Sequence, residues 1–115
     1  MDKLVLVTPV LPEKSEAWRR FCQEIEGRRR AAYERSRRNL GIAWEMAWLA
    51  PTPQGTMAII TIAASDLAET WREIGRSQRP FDRWFRRNIL ELHGLDLSQC
   101  VSHPSGETIF RWQLS

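Results

Sequence analysis

Apolar and polar positions change period several times along the chain, and each change marks an element. LVLVTPVL at 4–11 is continuously apolar and β-branched, bounded by Pro12, which predicts a first strand. Pro12, Glu13 and Glu16 then suit a helix's first turn, where a missing N–H costs nothing and negative charge meets the dipole. From there Trp18, Phe21, Cys22, Ile25, Arg29, Ala32, Tyr33 and Ser36 recur at spacings of three and four. That period predicts one long helix from about Glu13 to Leu40, stopped by Gly41 and weakened inside by Gly27.

IAWEMAWLA at 42–50 alternates instead. A strict alternation puts Ile42, Trp44, Met46 and Trp48 on one face, with Ala43, Glu45, Ala47 and Leu49 on the other. The turn residues 51–55, PTPQG, and the apolar run TMAIITIAA at 56–64 complete a β-hairpin. Asp66 with Glu69 three residues on reads as a capping box, opening a helix whose stripe is Leu67, Trp71 and Ile74. The segment from Gly75 to Pro80 is expected to break it. A second helical segment runs from Pro80 to His93 with Phe81, Trp84, Phe85, Ile89 and Leu92 on one stripe. A loop from Gly94 to Gly106 and a last strand at 108–114, TIFRWQL, close the chain.

This order, β-α-β-β-α-β, predicts an α+β fold of the ferredoxin-like kind: a four-stranded antiparallel sheet with its helices on one face. At 115 residues the chain is expected to be one domain, 1–115, because two cores would each be too small. Both faces of the central hairpin carry apolar residues, so the sheet's second face calls for cover, and a homodimer through the sheet faces follows.

Composition narrows the function classes. Hydrophobic residues make up 43% and charged residues 27%, the balance of a soluble globular chain. Six tryptophans are many for this length and call for a core, a ligand cavity or an interface. The net charge of +3 is mild, and only Lys3 and Lys14 among the cations are lysines. Glu24–Arg28, Glu26–Arg30 and Glu34–Arg38 have the i,i+4 spacing of a salt-bridged exposed helix, which answers the arginine-rich run RRRAAYERSRR. An RNA-recognition domain shares this element order but needs exposed aromatics on two strands, and LVLVTPVL and TMAIITIA have none. No nucleic-acid partner is therefore expected. Cys22 and Cys100 make neither a disulfide framework nor a metal-ligand spacing. No apolar run approaches a membrane span and the N-terminus lacks signal-peptide features, so a cytoplasmic protein with no membrane partner is expected. P-loop, nucleophile-elbow, CxxC, HExxH and dinucleotide-fingerprint patterns are all missing.

The tract YERSRRNLGIAWEMAWLAPTPQG, the returning strand, and then PFDRWFRRNILELHGLDL resemble a bacterial family of uncharacterised small proteins. That family lies within the dimeric α+β barrel superfamily, and the resemblance spans roughly residues 3–97. It implies two ferredoxin-like subunits with their sheets face to face and a pocket between the sheet and helices of each. Relatives in the superfamily include cofactor-independent antibiotic-biosynthesis monooxygenases, haem-degrading monooxygenases, polyketide cyclases and stress-responsive barrel proteins. Their chemistries differ, so the fold alone assigns none of them. The haem-degrading relatives resemble an Asn-Trp-His constellation. Here Asn39 and Asn88 fall on helices rather than the first strand, so haem is the weakest reading and no cofactor or metal is expected.

The candidate site residues each face an ordinary alternative. His93, last in its helix before Gly94, is a candidate general base or simply a helix-end histidine. Tyr33 and Arg29 sit where the first helix's apolar stripe turns polar, and with Ser36 could hold a phenolic or anionic ligand: Tyr33 as donor or acid, Arg29 as anion clamp. The same end of the helix could instead be solvated. Trp44 and Trp48 either line the pocket or plug the dimer interface. Glu45 on an apolar strand needs a partner, and Arg111 or another arginine on a neighbouring strand is the expected one unless both serve a ligand. The sequence thus supports binding of a small apolar or aromatic ligand, with a monooxygenase- or cyclase-like enzyme as its catalytic form. A non-enzymatic binding or oligomerisation module with a filled pocket is the contrasting class.

Overall fold

A computed structural model describes residues 1–99 and 106–114. Its elements are β1 (Asp2–Pro9), α1 (Ser15–Glu26), α2 (Arg30–Leu40), β2 (Ile42–Thr52), β3 (Gly55–Ala64), α3 (Leu67–Arg76) and α4 (Pro80–His93), followed by a 3-10 turn at Leu97–Gln99. The class is α+β. All strands pair antiparallel in the order β1-β3-β2, so β3 is central and β1 and β2 are the edges among the described residues.

One sequence expectation is corrected. The long first helix is two helices. The chain turns at Gly27, whose backbone (φ −107, ψ −110) leaves the helical region, and α2 restarts at Arg30. Glu26 and Arg30 therefore sit on different helices, and Arg30 bonds Glu34 at 2.9 Å instead. The break expected between Gly75 and Pro80 falls after Arg76, and Gly75 itself lies inside α3. A Cβ there would stand 2.7 Å from the Leu97 carbonyl oxygen, so this glycine lets the 3-10 turn lie against the helix. The last strand expected at 108–114 is not shown; Ile109, Phe110, Trp112 and Leu114 are exposed.

The hairpin forms where expected, with Gly55 at φ +120 and the Thr52 hydroxyl donating to the Gly55 carbonyl at 2.6 Å. Its register holds one surprise. Ile42 pairs with Ala64 but Trp44 pairs with Ala63, so Ala43 is an extra, bulged residue. The bulge reverses the facing of Ile42, which is buried in one core with Leu4, Ile62 and Trp71 rather than lying with the tryptophans. Beyond the bulge, Glu45 aligns with Ile62 and Leu4 across the sheet, facing the helices, while Trp44, Met46 and Trp48 face outward and are exposed.

Helix ends are satisfied locally. Asp66 accepts from the Glu69 amide at 3.1 Å, although the Glu69 carboxylate turns to Arg72 and Arg76, so only half of the capping box forms. The Thr70 hydroxyl donates to the Leu40 carbonyl at 2.7 Å and ties α3 to the end of α2. Pro80 opens α4 and left-handed Gly94 (φ 70) ends it. A second core joins Trp18 and Phe21 of α1 to Leu92 of α4 and Ala58 of β3.

Candidate functional site

Between the inner face of the sheet and the helices lies a cavity of about 540 Å³. Its walls come from every element, including Leu6 and Thr8 of β1, Ile25 of α1, Ile60 of β3 and Phe85 of α4. That volume is within the range of pockets that take small organic ligands, ~300–1,000 Å³. Cys22, Ile25 and Ile60 pack against the second core and yet stay only partly buried, because each also borders the cavity.

One wall is polar. α2 turns Tyr33 and Arg37 towards β2, four residues apart on one helix face. Tyr33 Oη donates to Glu45 Oε1 at 2.5 Å, and Arg37 donates to the same carboxylate through Nε at 2.8 Å and Nη2 at 3.4 Å. The Arg37 guanidinium also stacks over the Tyr33 ring at 4.6 Å and the Phe85 ring at 4.3 Å. Burial alone would raise the Glu45 pKa, but the Arg37 charge and the hydrogen bonds from Arg37 and Tyr33 hold it below the ordinary carboxylate range. The Tyr33 phenol moves the other way, raised by burial and then by the Glu45 charge. Tyr33 is thus a hydrogen-bond donor to Glu45 here.

The network continues behind the cavity. Arg37 Nη1 donates to the Ser36 hydroxyl at 3.0 Å, which donates to Asp82 at 2.5 Å, and Asp82 also accepts from Ser77 at 2.5 Å. Ser36 therefore braces α2 against the start of α4 and does not line the cavity. Arg29 is also elsewhere: its guanidinium lies over the Trp84 ring at 4.0 Å and bonds Glu24 at 3.0 Å. Arg111 is exposed in the C-terminal segment, bonded to Gln113 at 3.1 Å. The partner of Glu45 is Arg37, from a helix rather than a neighbouring strand. Trp44 and Trp48 lie on the opposite face of the sheet and fill no part of the cavity.

His93 does reach the cavity wall, with both ring nitrogens engaged. Nε2 accepts from the Trp18 indole at 3.0 Å, and Nδ1 donates to the Pro9 carbonyl at 2.9 Å. These partners define the neutral Nδ1–H tautomer. Burial lowers the His93 pKa below 6.5, only partly offset by the bond to Pro9.

Two residues of the site escaped sequence reasoning. Arg37 stands four residues after Tyr33 on the same helix face, a spacing the sequence does offer. Trp71 read as core, which it is, and yet the residue also borders the cavity; its indole Nε1 is fully buried and has no hydrogen-bond partner among the described residues. Cys22 also lines the cavity; burial, with smaller contributions from Glu26 and Glu45, pushes its thiol up to about 11.

Among the described residues, no group of three or more His, Cys, Asp or Glu is placed to hold a metal ion, and no helix is long and apolar enough to cross a membrane. The fold and site together define an α+β protein with an apolar sheet-to-helix cavity and a partly buried tyrosine-carboxylate-arginine wall. Comparison with protein-family models, curated proteins and solved structures found no match.

Proposed function

We propose that this protein binds a small apolar or aromatic molecule between its sheet and its helices, as one subunit of a ferredoxin-like homodimer of the α+β barrel type. The observation that carries the reading is the cavity: about 540 Å³ of space remains where a non-ligand protein would be packed solid. A pocket plugged by tryptophans would have favoured a purely structural module. Trp44 and Trp48 are instead on the far face, and Trp84 packs against Phe21 and Phe81.

Binding, rather than turnover, is the conclusion. His93 has no nitrogen left for a substrate, and the raised Tyr33 phenol is a poor acid. A cofactor-independent monooxygenase- or cyclase-like reaction would have to begin with the ligand displacing the Tyr33–Glu45 bond, which frees the carboxylate as a base.

The assembly is inferred from surfaces. Trp44, Met46, Trp48, Val5 and Val7 are exposed side by side on the outer sheet face, with Lys3 at its end. Burying such an apolar face against a second copy removes it from water. The segment 108–114 alternates like a strand, and Gly106 N already donates to the Val5 carbonyl at 3.1 Å on edge strand β1. That bond supports the segment adding beside β1 as a fourth strand and completing the ferredoxin-like order. Slow amide exchange across 108–114 in the dimer is expected; exchange as fast as in an unstructured peptide removes this part.

The cavity is tested by native mass spectrometry of protein purified from cells, beside thermal shifts with naphthalene, benzoate, laurate and hemin. A retained adduct, or a shift with a neutral aromatic, is expected. Ile25→Trp should abolish it by filling the space. No adduct and no shift with any probe overturns the reading.

A further inference from the structure

The rim of the cavity carries a carboxylate without an ion-pair partner. We propose that the ligand is an organic ammonium ion, with an aromatic body seated in the cavity and a protonated amine held at its mouth by the Glu26 carboxylate. This rests on the reading of the cavity as a small-molecule site and adds the charge that the site selects.

Two independent observations converge. The first is how the charges on the wall are paired. Glu26, Glu34 and Glu45 border the cavity against Arg30 and Arg37. Arg37 is committed to Glu45, and Arg30 to Glu34, which also meets Arg38. Both ring nitrogens of His93 are occupied. Glu26 alone of these charged groups has no ion pair among the described residues. Arg28 and Arg29, close to it in sequence, both bond Glu24 and neither borders the cavity. An anion entering here meets no uncommitted guanidinium on the wall, whereas an ammonium meets a carboxylate without displacing an arginine.

The second observation is where that carboxylate stands. α1 ends at Glu26, and its last turn holds no basic residue. The C-terminus of a helix is the negative end of its dipole, which disfavours a carboxylate and favours a cation. Glu26 follows Cys22 by one turn on the cavity-lining face of α1. Its charge reaches that wall: after burial, Glu26 and then Glu45 raise the Cys22 thiol. Glu26 is itself exposed, so an ammonium bound there keeps most of its water while the aromatic body sheds its own.

The test compares 2-(aminomethyl)naphthalene, 2-naphthalenemethanol and 2-naphthoate, a cation, a neutral molecule and an anion on one ring system. Titration calorimetry near neutral pH is run on the full chain. The wild type is expected to bind the amine roughly five- to tenfold more tightly than the alcohol, which binds through its ring, and to bind the acid most weakly. The chain's net charge of +3 works against the amine elsewhere on the surface, so a preference for it reports the rim. Salt at about 1 M should shrink that preference, a readout that needs no variant. Glu26→Gln, at an exposed helix end, should make amine and alcohol bind about equally. Glu16→Gln, the same loss of charge on α1 away from the cavity, should leave the preference intact. Equal binding of amine and alcohol by the wild type overturns the assignment and leaves the cavity reading standing. So does an amine preference that persists in Glu26→Gln. Binding of none of the three probes removes both.

Discussion

The indole N–H of Trp18 donates to Nε2 of His93 at 3.0 Å, joining the first turn of α1 to the last residue of α4. With Nδ1–H on the Pro9 carbonyl, the ring tethers three segments only while it is neutral. Protonation would set an N–H against the Trp18 N–H. Because burial lowers the folded pKa below 6.5, the unfolded chain takes up the proton first on acidification. The His93 contribution is therefore whole above 6.5 and is lost as the pH falls from there through the folded value. Urea midpoints measured between about pH 7.5 and about pH 5 should fall more steeply for the wild type than for His93→Gln. Parallel curves would show that the ring does not sense the proton. Trp18→Phe, which leaves Nε2 buried without its donor, should cost about 1–3 kcal/mol.

The Arg37–Glu45 pair should behave as a unit. Either Arg37→Met or Glu45→Gln leaves a buried charge without its partner and should cost about 3–5 kcal/mol. The double variant should cost less than the sum of the two. Glu45 has its pKa held below 4.5, so its share of stability is present above that value and lost as the pH falls through the folded pKa. A double-mutant cycle from denaturant unfolding decides the matter, and simple additivity would deny the coupling.

Much of this fold was legible because periodicity reports which side of an element is buried. The hairpin, the Asp66 cap, the Pro80 start and the Gly94 stop all follow from local residue chemistry. What periodicity cannot see is a change of phase. The bulge at Ala43 flips Ile42 without altering the alternation of the residues after it, and the turn at Gly27 restarts the helix with polar residues still in plausible stripe positions. The site was half legible for a related reason. Tyr33 and Glu45 stood out as polar groups on apolar faces, whereas Arg37 looked like one arginine among many in an arginine-rich helix. Nothing in the sequence distinguishes Trp71 from an ordinary core tryptophan, since its peculiarity is a missing partner.

Gly75 offers a test of packing that has nothing to do with helix propensity. On propensity alone, Gly75→Ala inside α3 should stabilise the protein by up to about 1 kcal/mol. The added methyl would stand 2.7 Å from the backbone oxygen of Leu97, so the 3-10 turn must move away from the helix. A net loss of about 1–3 kcal/mol in chemical denaturation is expected. A gain in stability would mean that the Leu97 turn is not held against α3.

The thiol of Cys22 reports on the cavity directly. It lines the space and is pushed up to about 11 by burial, so little thiolate exists near neutral pH. In a Cys100→Ser background, which leaves Cys22 as the one thiol, reaction with a disulfide reagent at about pH 8 should run at least tenfold slower than for an unstructured cysteine peptide. A neutral aromatic occupying the cavity should slow it further, while urea should restore the peptide rate. Reaction at the peptide rate in the native protein would place Cys22 outside the cavity.

The outer face of the sheet makes the assembly testable without touching the cavity. Met46 pairs with Thr61 and Trp48 with Ile59 across β3, and beyond them lie Val5 and Val7 of β1. A charge placed in these rows would be stranded in a sheet-to-sheet interface but solvated in a monomer. Val5→Lys with Trp48→Lys should therefore convert a dimer to a monomer in light scattering, with the far-UV circular dichroism unchanged because neither side chain belongs to a buried core. The same variant should keep the cavity's ligand shift, since Glu45, Tyr33 and Trp71 all lie on the other side of the sheet or beyond it. A wild type that is monomeric at micromolar concentration, or a dimer that survives both lysines, would show that this face is not where two copies meet.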